Sequence, residues 1–338
     1  MIEVDGSHGE GGGQILRTAV SLSAVTLEPV KIINIRSKRK NPGLAPSHMT
    51  SIEAVAKMAD ADLDGLYPGS TTLEFKPRGV LGGQFEFDVG TAGSISLVLQ
   101  TCLLPGVLAK SPTRITVKGG TDVNWSPPID FMRLVHLPIL DRFGPSCDIE
   151  IRSRGFYPEG GGEVSVDIAP AGGLRGVDLA SAGKMLRVEG VSYVQDLPRE
   201  IASRIKHAAF QTMIDLPSVH IEEDVRRGPS TGAGIVLAAI CENSILGASA
   251  LGAKGVRSET LGERCASDLL ETLSSGAAVD EHMLDQLLPY MALAKGPSAV
   301  VAEELTPHSE TNLWVIEKFL GKRFTTEKDG RLVRLATT

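Results

Sequence analysis

Only four of the 338 residues are cysteine, and Cys102, Cys147, Cys241 and Cys265 stand too far apart to form any CxxC pair. That excludes a disulfide framework and cysteine-held zinc spacing, so the thiols are expected to be buried. No apolar run approaches the roughly 18 residues of a membrane span. The opening residues MIEVDGSHGEGG lack the basic stretch and hydrophobic stretch of a secretory leader. A cytoplasmic protein with no membrane partner is expected. His8, His48, His136, His207, His220 and His282 show no HExxH or other ligand spacing, which argues against a histidine-held metal and leaves a cation held by carboxylate and phosphate. Positive charge is in deficit, 34 basic residues against 41 acidic ones for a net charge of −7. This argues against a nonspecific nucleic-acid coat protein but allows a local basic patch. RSKRK, Arg36 to Lys40, is such a patch.

What is present is an ordinary globular balance, 42% hydrophobic and 22% charged, in a chain long enough for more than one domain. Hydrophobic periodicity predicts an α+β fold in which one unit, β-α-β-α-β-β, recurs three times. The first copy covers residues 1–80, with helices in GQILRTAVSLSAVT and PSHMTSIEAVAKMADA and strands in MIEVDG, PVKIINIRS, DLDGLY and TTLEFKPR. A second covers residues 81–170, including the helices SISLVLQTCLLPGVLA and PPIDFMRLVHLPILDRFG. The third opens at MLRVEGVSYV and resumes near Ala278 with DEHMLDQLLPYMALA, SAVVAEE and ETNLWVIEKFLG. The expected division is a large domain of residues 1–184 and 278–338 with a smaller inserted α/β domain at 185–277. Periodicity does not settle to which part MLRVEGVSYV belongs.

The segment HGEGGGQILR, His8 to Arg17, concentrates the chemistry. Consecutive glycines let backbone amides approach a ligand, and free amides at a helix start attract phosphate. Glu10 within that turn would repel phosphate unless a divalent cation lay between them. Gln14 and Arg17 follow at helical spacing and can face the same pocket. A simple tight turn is the alternative, since neither GxGxxG nor GxxxxGK[ST] is present. Arg36 and Arg39 suit a phosphomonoester, or else decorate a solvated strand end.

His308 lies in TPHSETNLW, at the first turn of a helix capped by Thr306 or Ser309. The positive end of a helix favours an uncharged ring, and an uncharged imidazole nitrogen can attack phosphorus. A surface histidine is the plain alternative. Asp285 and Gln286 on the apolar helix MLDQLLPYM read as a pocket lining or as its wet side, and Gln100 interrupts an apolar helix. Pro127 and Pro128 start a helix. Trp125 beside them is read as core in preference to a base-stacking platform. RGFYPEGGGEV, Arg154 to Val164, reads locally as a glycine turn between two strands.

Together, GEGGGQILR, IRSKRKNPGL, RGFYPEGGG and DQLLPYMALA followed by HSETN resemble the RNA 3′-terminal phosphate cyclases over essentially the whole chain. The resemblance implies an ATP-dependent enzyme that converts an RNA 3′-phosphate into a 2′,3′-cyclic phosphate through a covalent histidine-AMP intermediate and an RNA-adenylate. It assigns the nucleophile to His308 and a Mg²⁺ or Mn²⁺ ligand to Glu10. Gln14, Arg17, Arg36 and Arg39 correspond to positions around the phosphates, and Gln100, Pro127, His282, Asp285 and Gln286 to the nucleotide pocket. His282 departs from the tyrosine that relatives often carry there. The implied partner is RNA with a 3′-terminal phosphate, and self-association into a homo-oligomer stays open. Two alternatives are a non-catalytic relative that binds RNA or a partner in ribosome assembly, and an enolpyruvyl transferase. Neither has a need for His308 in HSETN.

Overall fold

Short alternating strands interleaved with apolar-faced helices give a mixed α/β fold, and the computed structural model describes residues 1–337 of it. The first sheet contains β1 (Ile2–Asp5), β2 (Val30–Ile33), β3 (Asp62–Asp64) and β4 (Leu73–Lys76), in spatial order β1-β2-β4-β3. Its helices are α1 (Gly13–Thr26) and α2 (Pro46–Met58). The second sheet contains β5 (Gly83–Asp88), β6 (Thr113–Gly119), β7 (Ser146–Ser153) and β8 (Gly162–Ala169), in order β5-β6-β8-β7, with α3 (Ile95–Val107) after its first strand. In both sheets the first pair of strands is parallel and the others antiparallel. A parallel pair needs a crossover, and α1 and α3 supply it.

The helix expected over PPIDFMRLVHLPILDRFG is broken into α4 (Ile129–Phe131), a wide turn at Met132–His136, α5 (Leu137–Leu140) and a tight turn at Asp141–Phe143. Pro138 has no N–H to continue the ladder, and the Leu137 N–H bonds the Met132 carbonyl five residues back.

Two strands revise the expected third unit. The two-residue strand β9 (Asp178–Leu179) is too short to show any period, yet it pairs parallel with β14 (Ala299–Ala302). With β15 (Phe324–Asp329) and β16 (Leu332–Thr337) it forms a sheet of order β9-β14-β16-β15. MLRVEGVSYV, expected to open this unit, lies instead in β10 (Met185–Gln195), inside the fourth sheet. There it pairs with β11 (Val219–Arg226) and β12 (Gly232–Cys241), and β13 (Ile245–Leu251), which periodicity missed, closes the order β11-β10-β12-β13. Helices α6 (Arg199–Thr212) and α7 (Ser258–Ser275) accompany this sheet, and α8 (Glu281–Leu293) and α9 (Pro307–Leu320) follow.

β10 and β12 are buried on both faces, which explains the ambiguity. Val188, Val194, Ile235, Leu237 and Ala239 join a core with α6 and α7, while Val191, Tyr193, Val236 and Ala238 join the core of the rest of the chain. Alternate residues of a strand point to opposite faces, so one strand serves two cores and loses its polar alternation. Cys102, Cys241 and Cys265 are buried and Cys147 partly so, all unpaired. Among the described residues no helix is long and apolar enough to cross a membrane.

Candidate functional site

The chain enters α1 through Gly12, which supplies no side-chain cap, so the first-turn amides face outward without a side-chain acceptor. Gly11 has φ +60°, a conformation that glycine adopts readily. Gly13 is small for another reason: a Cβ there would stand 2.3 Å from the His48 Nε2 atom. Arg39 reaches the same turn, with Nη2 3.2 Å from where a Gly12 Cβ would be. Lys38 Nζ donates to the Gly9 carbonyl at 3.2 Å. The RSKRK patch therefore faces the glycine turn, although β2 ends at Ile33 and the patch lies on the turns after it. Arg36 is bent back at φ +52° and donates to the Gly43 carbonyl.

Cation density shapes the protonation of this corner. His48, whose spacing fits no metal motif, has its ring against Gly13, and its Nδ1 accepts from the Ala45 N–H at 3.2 Å. Burial, then the charges of Arg17 and Arg36, push its pKa down to about 3, so the ring is neutral. Burial also lowers Arg17 to about 10, with only the Asp285 charge opposing. Arg36 is lowered as well, by burial and by Arg39. A partly buried group of cations with too few carboxylates beside it is an environment that an added anion would relieve.

Helix α9 brings the imidazole to this turn. Thr306 caps it by accepting from the Ser309 N–H at 3.1 Å, Pro307 begins it, and His308 follows. The His308 Nε2 atom lies 3.2 Å from a Glu10 carboxylate oxygen, and both side chains are about half exposed. The same oxygen is 3.7 Å from Arg39. Residues 298 positions apart in the chain thus meet at the glycine turn. His8 stacks on Trp314 of α9, ring centroids 3.9 Å apart, which fixes the turn against that helix.

Behind this pair lies a small polar cavity lined by Gln14, Arg17, Gln100, Asp285, Gln286 and Asn312, among others. Asp285 is buried and accepts from Gln14 Nε2 at 2.6 Å and Gln286 Nε2 at 2.8 Å. Its pKa is raised, burial outweighing the two amides that favour the carboxylate. Asn312 donates to the Asp285 carbonyl and accepts from Thr18, so α1, α8 and α9 share one hydrogen-bonded seam. Of the expected residues, Gln14, Arg17, Gln100, Asp285 and Gln286 meet here, and Glu10, Arg36, Arg39 and His308 gather at the turn in front. Pro127 lies off the cavity, its carbonyl accepting from Ser96, one turn of α3 before Gln100. His282 is exposed and lines a separate acidic cleft with Asp280, Glu303 and Glu304.

Trp125 corrects another expectation. It is fully exposed, not core, on an arch between buried Asp122 and buried Ile129. Arg154, read on sequence as part of a plain glycine turn, is fully buried. It contacts Asp130 at 2.6 Å, Asp224 at 2.8 Å and Asp122 at 3.4 Å, and its guanidinium lies over the Tyr193 ring at 3.8 Å.

An uncapped helix start can bind an anion, and an imidazole at its edge can attack phosphorus. A family model described as RNA 3′-terminal phosphate cyclase matches residues 8–326. The RNA 3′-terminal phosphate cyclase of Ignicoccus hospitalis is 48% identical over 329 residues, 95% of this chain and 93% of that protein. Those of Pyrobaculum neutrophilum, at 44% over 97% of this chain and 96% of the relative, and Nitrosospira multiformis, at 40% over 99% and 96%, are similar across comparable spans. The chain belongs to the RNA 3′-terminal phosphate cyclase family.

Proposed function

We propose that this chain is an ATP-dependent enzyme that closes the 3′-phosphate of an RNA into a 2′,3′-cyclic phosphate, with His308 as covalent nucleophile. The observation that carries the reading is the meeting of His308, Glu10 and Arg39 at the uncapped start of α1. An imidazole nitrogen of His308 attacks the α-phosphorus of ATP, the bond to the bridging oxygen breaks, and pyrophosphate leaves. The product is a phosphoramidate between His308 and AMP. An oxygen of the RNA 3′-phosphate then displaces the imidazole, which transfers AMP to the RNA. The 2′-hydroxyl finally attacks the activated phosphorus, AMP departs, and the hydroxyl proton passes to solvent. That last step is intramolecular, so proximity supplies much of its rate.

Arg17, Arg36 and Arg39 neutralise charge on the phosphate oxygens, and the free amides of α1 orient them. Gln14, Gln100, Asp285 and Gln286 bind the nucleoside in the cavity behind. Pro127 and His282 lie off this cavity, so the nucleoside is held there without them. Among the described residues no three histidine, cysteine or carboxylate groups cluster to hold a metal. Glu10 alone fits a Mg²⁺ or Mn²⁺ ion completed by phosphate oxygens and water, which is how Mg²⁺ commonly sits in phosphoryl-transfer sites. Such an ion supplies further neutralisation of the triphosphate when bound.

Three sheets share one strand order and one pattern of pairing, which supports three copies of a β-α-β-α-β-β unit over residues 1–184 and 278–338. Residues 185–277 then form an inserted α/β domain between β9 and α8. The function is tested with ATP labelled at the α- or γ-phosphate. Label is expected on the protein from the α position only, and none in His308→Ala. An oligoribonucleotide ending in 3′-phosphate should be cyclised and its 3′-hydroxyl counterpart left unchanged. Labelling that persists in His308→Ala removes the mechanism.

A further inference from the structure

Trp125 is 100% exposed, and its backbone is held at φ +68°. A non-glycine residue seldom occupies that region. The indole buries nothing, so folding gains nothing from it, and its apolar faces are left to water. The arch that carries it is pinned at both ends and braced within. Asp122 accepts from the Tyr193 hydroxyl at 2.7 Å, the Ile129 N–H bonds the Thr121 carbonyl, and Ser126 Oγ bonds the Val123 carbonyl at 3.1 Å. A rigid turn therefore presents a large flat ring to solvent, with little rotational freedom left in the backbone to lose on binding.

A second aromatic stands nearby. Tyr157 is 74% exposed on the adjoining turn, which is joined to the arch by the bridge between Asp122 and Phe156. The arch is also tied to the catalytic cavity. Ser96 holds the Pro127 carbonyl at 2.7 Å, and Gln100, one turn further along α3, lines the cavity. One helical turn, one hydrogen bond and two residues of chain put the Trp125 backbone within roughly 20 Å of Gln100. Arg227 adds an exposed cation to this side, two residues from Pro229, which packs on Gly161 of the same turn as Tyr157.

Resting on the cyclase reading above, we infer that Trp125, flanked by Tyr157, is a stacking platform for an unpaired nucleobase of the RNA, a few nucleotides upstream of the terminal phosphate held at the glycine turn. A π-face accepts any base, so the platform would extend affinity along the strand without choosing sequence.

Trp125→Ala and Trp125→Phe are compared with the unaltered enzyme on oligoribonucleotides of two, four, eight and twelve nucleotides ending in 3′-phosphate, and His308 adenylylation is measured without RNA. Loss of one stacked base predicts a KM for the longer RNAs raised about 5- to 150-fold in Trp125→Ala. The dinucleotide KM and the adenylylation rate should be unchanged, and Trp125→Phe should recover most of the loss. An abasic nucleotide walked back from the 3′ end should reproduce the loss in the unaltered enzyme at one position and add nothing in Trp125→Ala. KM values in Trp125→Ala that match those of the unaltered enzyme at every length overturn the platform. A defect in adenylylation instead assigns the ring to the adenine of ATP and likewise overturns it. Absence of cyclisation by the unaltered enzyme defeats the cyclase reading itself, which separates the two failures.

Discussion

Arg154 and Arg17 are both arginines drawn away from bulk water, and their surroundings treat them oppositely. Burial on its own would lower Arg154, yet Asp130 and Asp122, with Tyr193 and Asp224, more than reverse this and raise its pKa. Burial lowers Arg17 to about 10, and no carboxylate closes on it as they do on Arg154. The first cluster is complete within the protein and joins the RGFYPEGGG turn to β10 and β11 through Tyr193 and Asp224. Around Arg17 only the Asp285 charge opposes burial. A buried charge with its partners in place serves the scaffold, whereas one without them is costly to keep and would be stabilised by an anion.

The contrast can be broken by exchanging losses. Arg154→Ala strands three carboxylates and is expected to lower stability by about 3–5 kcal/mol, read as a drop in the denaturant midpoint, with activity lost only in step with unfolding. Arg17→Ala should do the reverse. Chemical denaturation should show it as stable as the parent or more so, while kcat/KM for ATP-dependent cyclisation falls by about 10²-fold, the scale of losing one charge contact to phosphate. If Arg17→Ala unfolds the protein and Arg154→Ala spares it, the distinction is wrong.

Gly13→Ala sharpens the picture at the glycine turn. Its Cβ would collide with the His48 ring, a conflict of about 1–3 kcal/mol that also displaces the start of α1. Adenylylation should fall more than stability does. The smallest effect at neutral pH belongs to His48. Its folded pKa of about 3 lies below the unfolded value of 6.5, so the unfolded chain takes up a proton that the folded one refuses. Stability is then unaffected above pH 6.5 and declines as pH falls from 6.5 toward 3. His48→Asn should flatten that part of the stability profile, and an unchanged slope would show that the ring titrates normally.

Local signals made part of this site legible in the sequence. The glycine turn, Gln14 and Arg17 one helical turn apart, and the Thr306 cap before His308 are patterns within a few residues, and the structure keeps all of them. What escaped depends on partners far away in the chain. His48 gained its place from Gly13 and Arg17, and Arg154 from Asp122, Asp130 and Asp224; no spacing rule links those positions. Strand β9 is two residues long, and β10 is apolar on both faces, so neither carries the period by which strands are recognised. Trp125 is exposed against its hydrophobicity, which speaks of burial on average, because its arch is held by hydrogen bonds that composition does not encode.

The double duty of β10 and β12 reaches beyond this ambiguity. Residues 185–277 enter and leave the chain like a detachable module, but their sheet is a party wall whose two sides are plastered in different rooms. Cutting them out would strip Phe131 and Val135 of the strand that Gly247 lays against them and remove one of the three carboxylates from Arg154. Removing residues 185–277 would therefore expose apolar surface on the rest of the chain as well as delete a sheet.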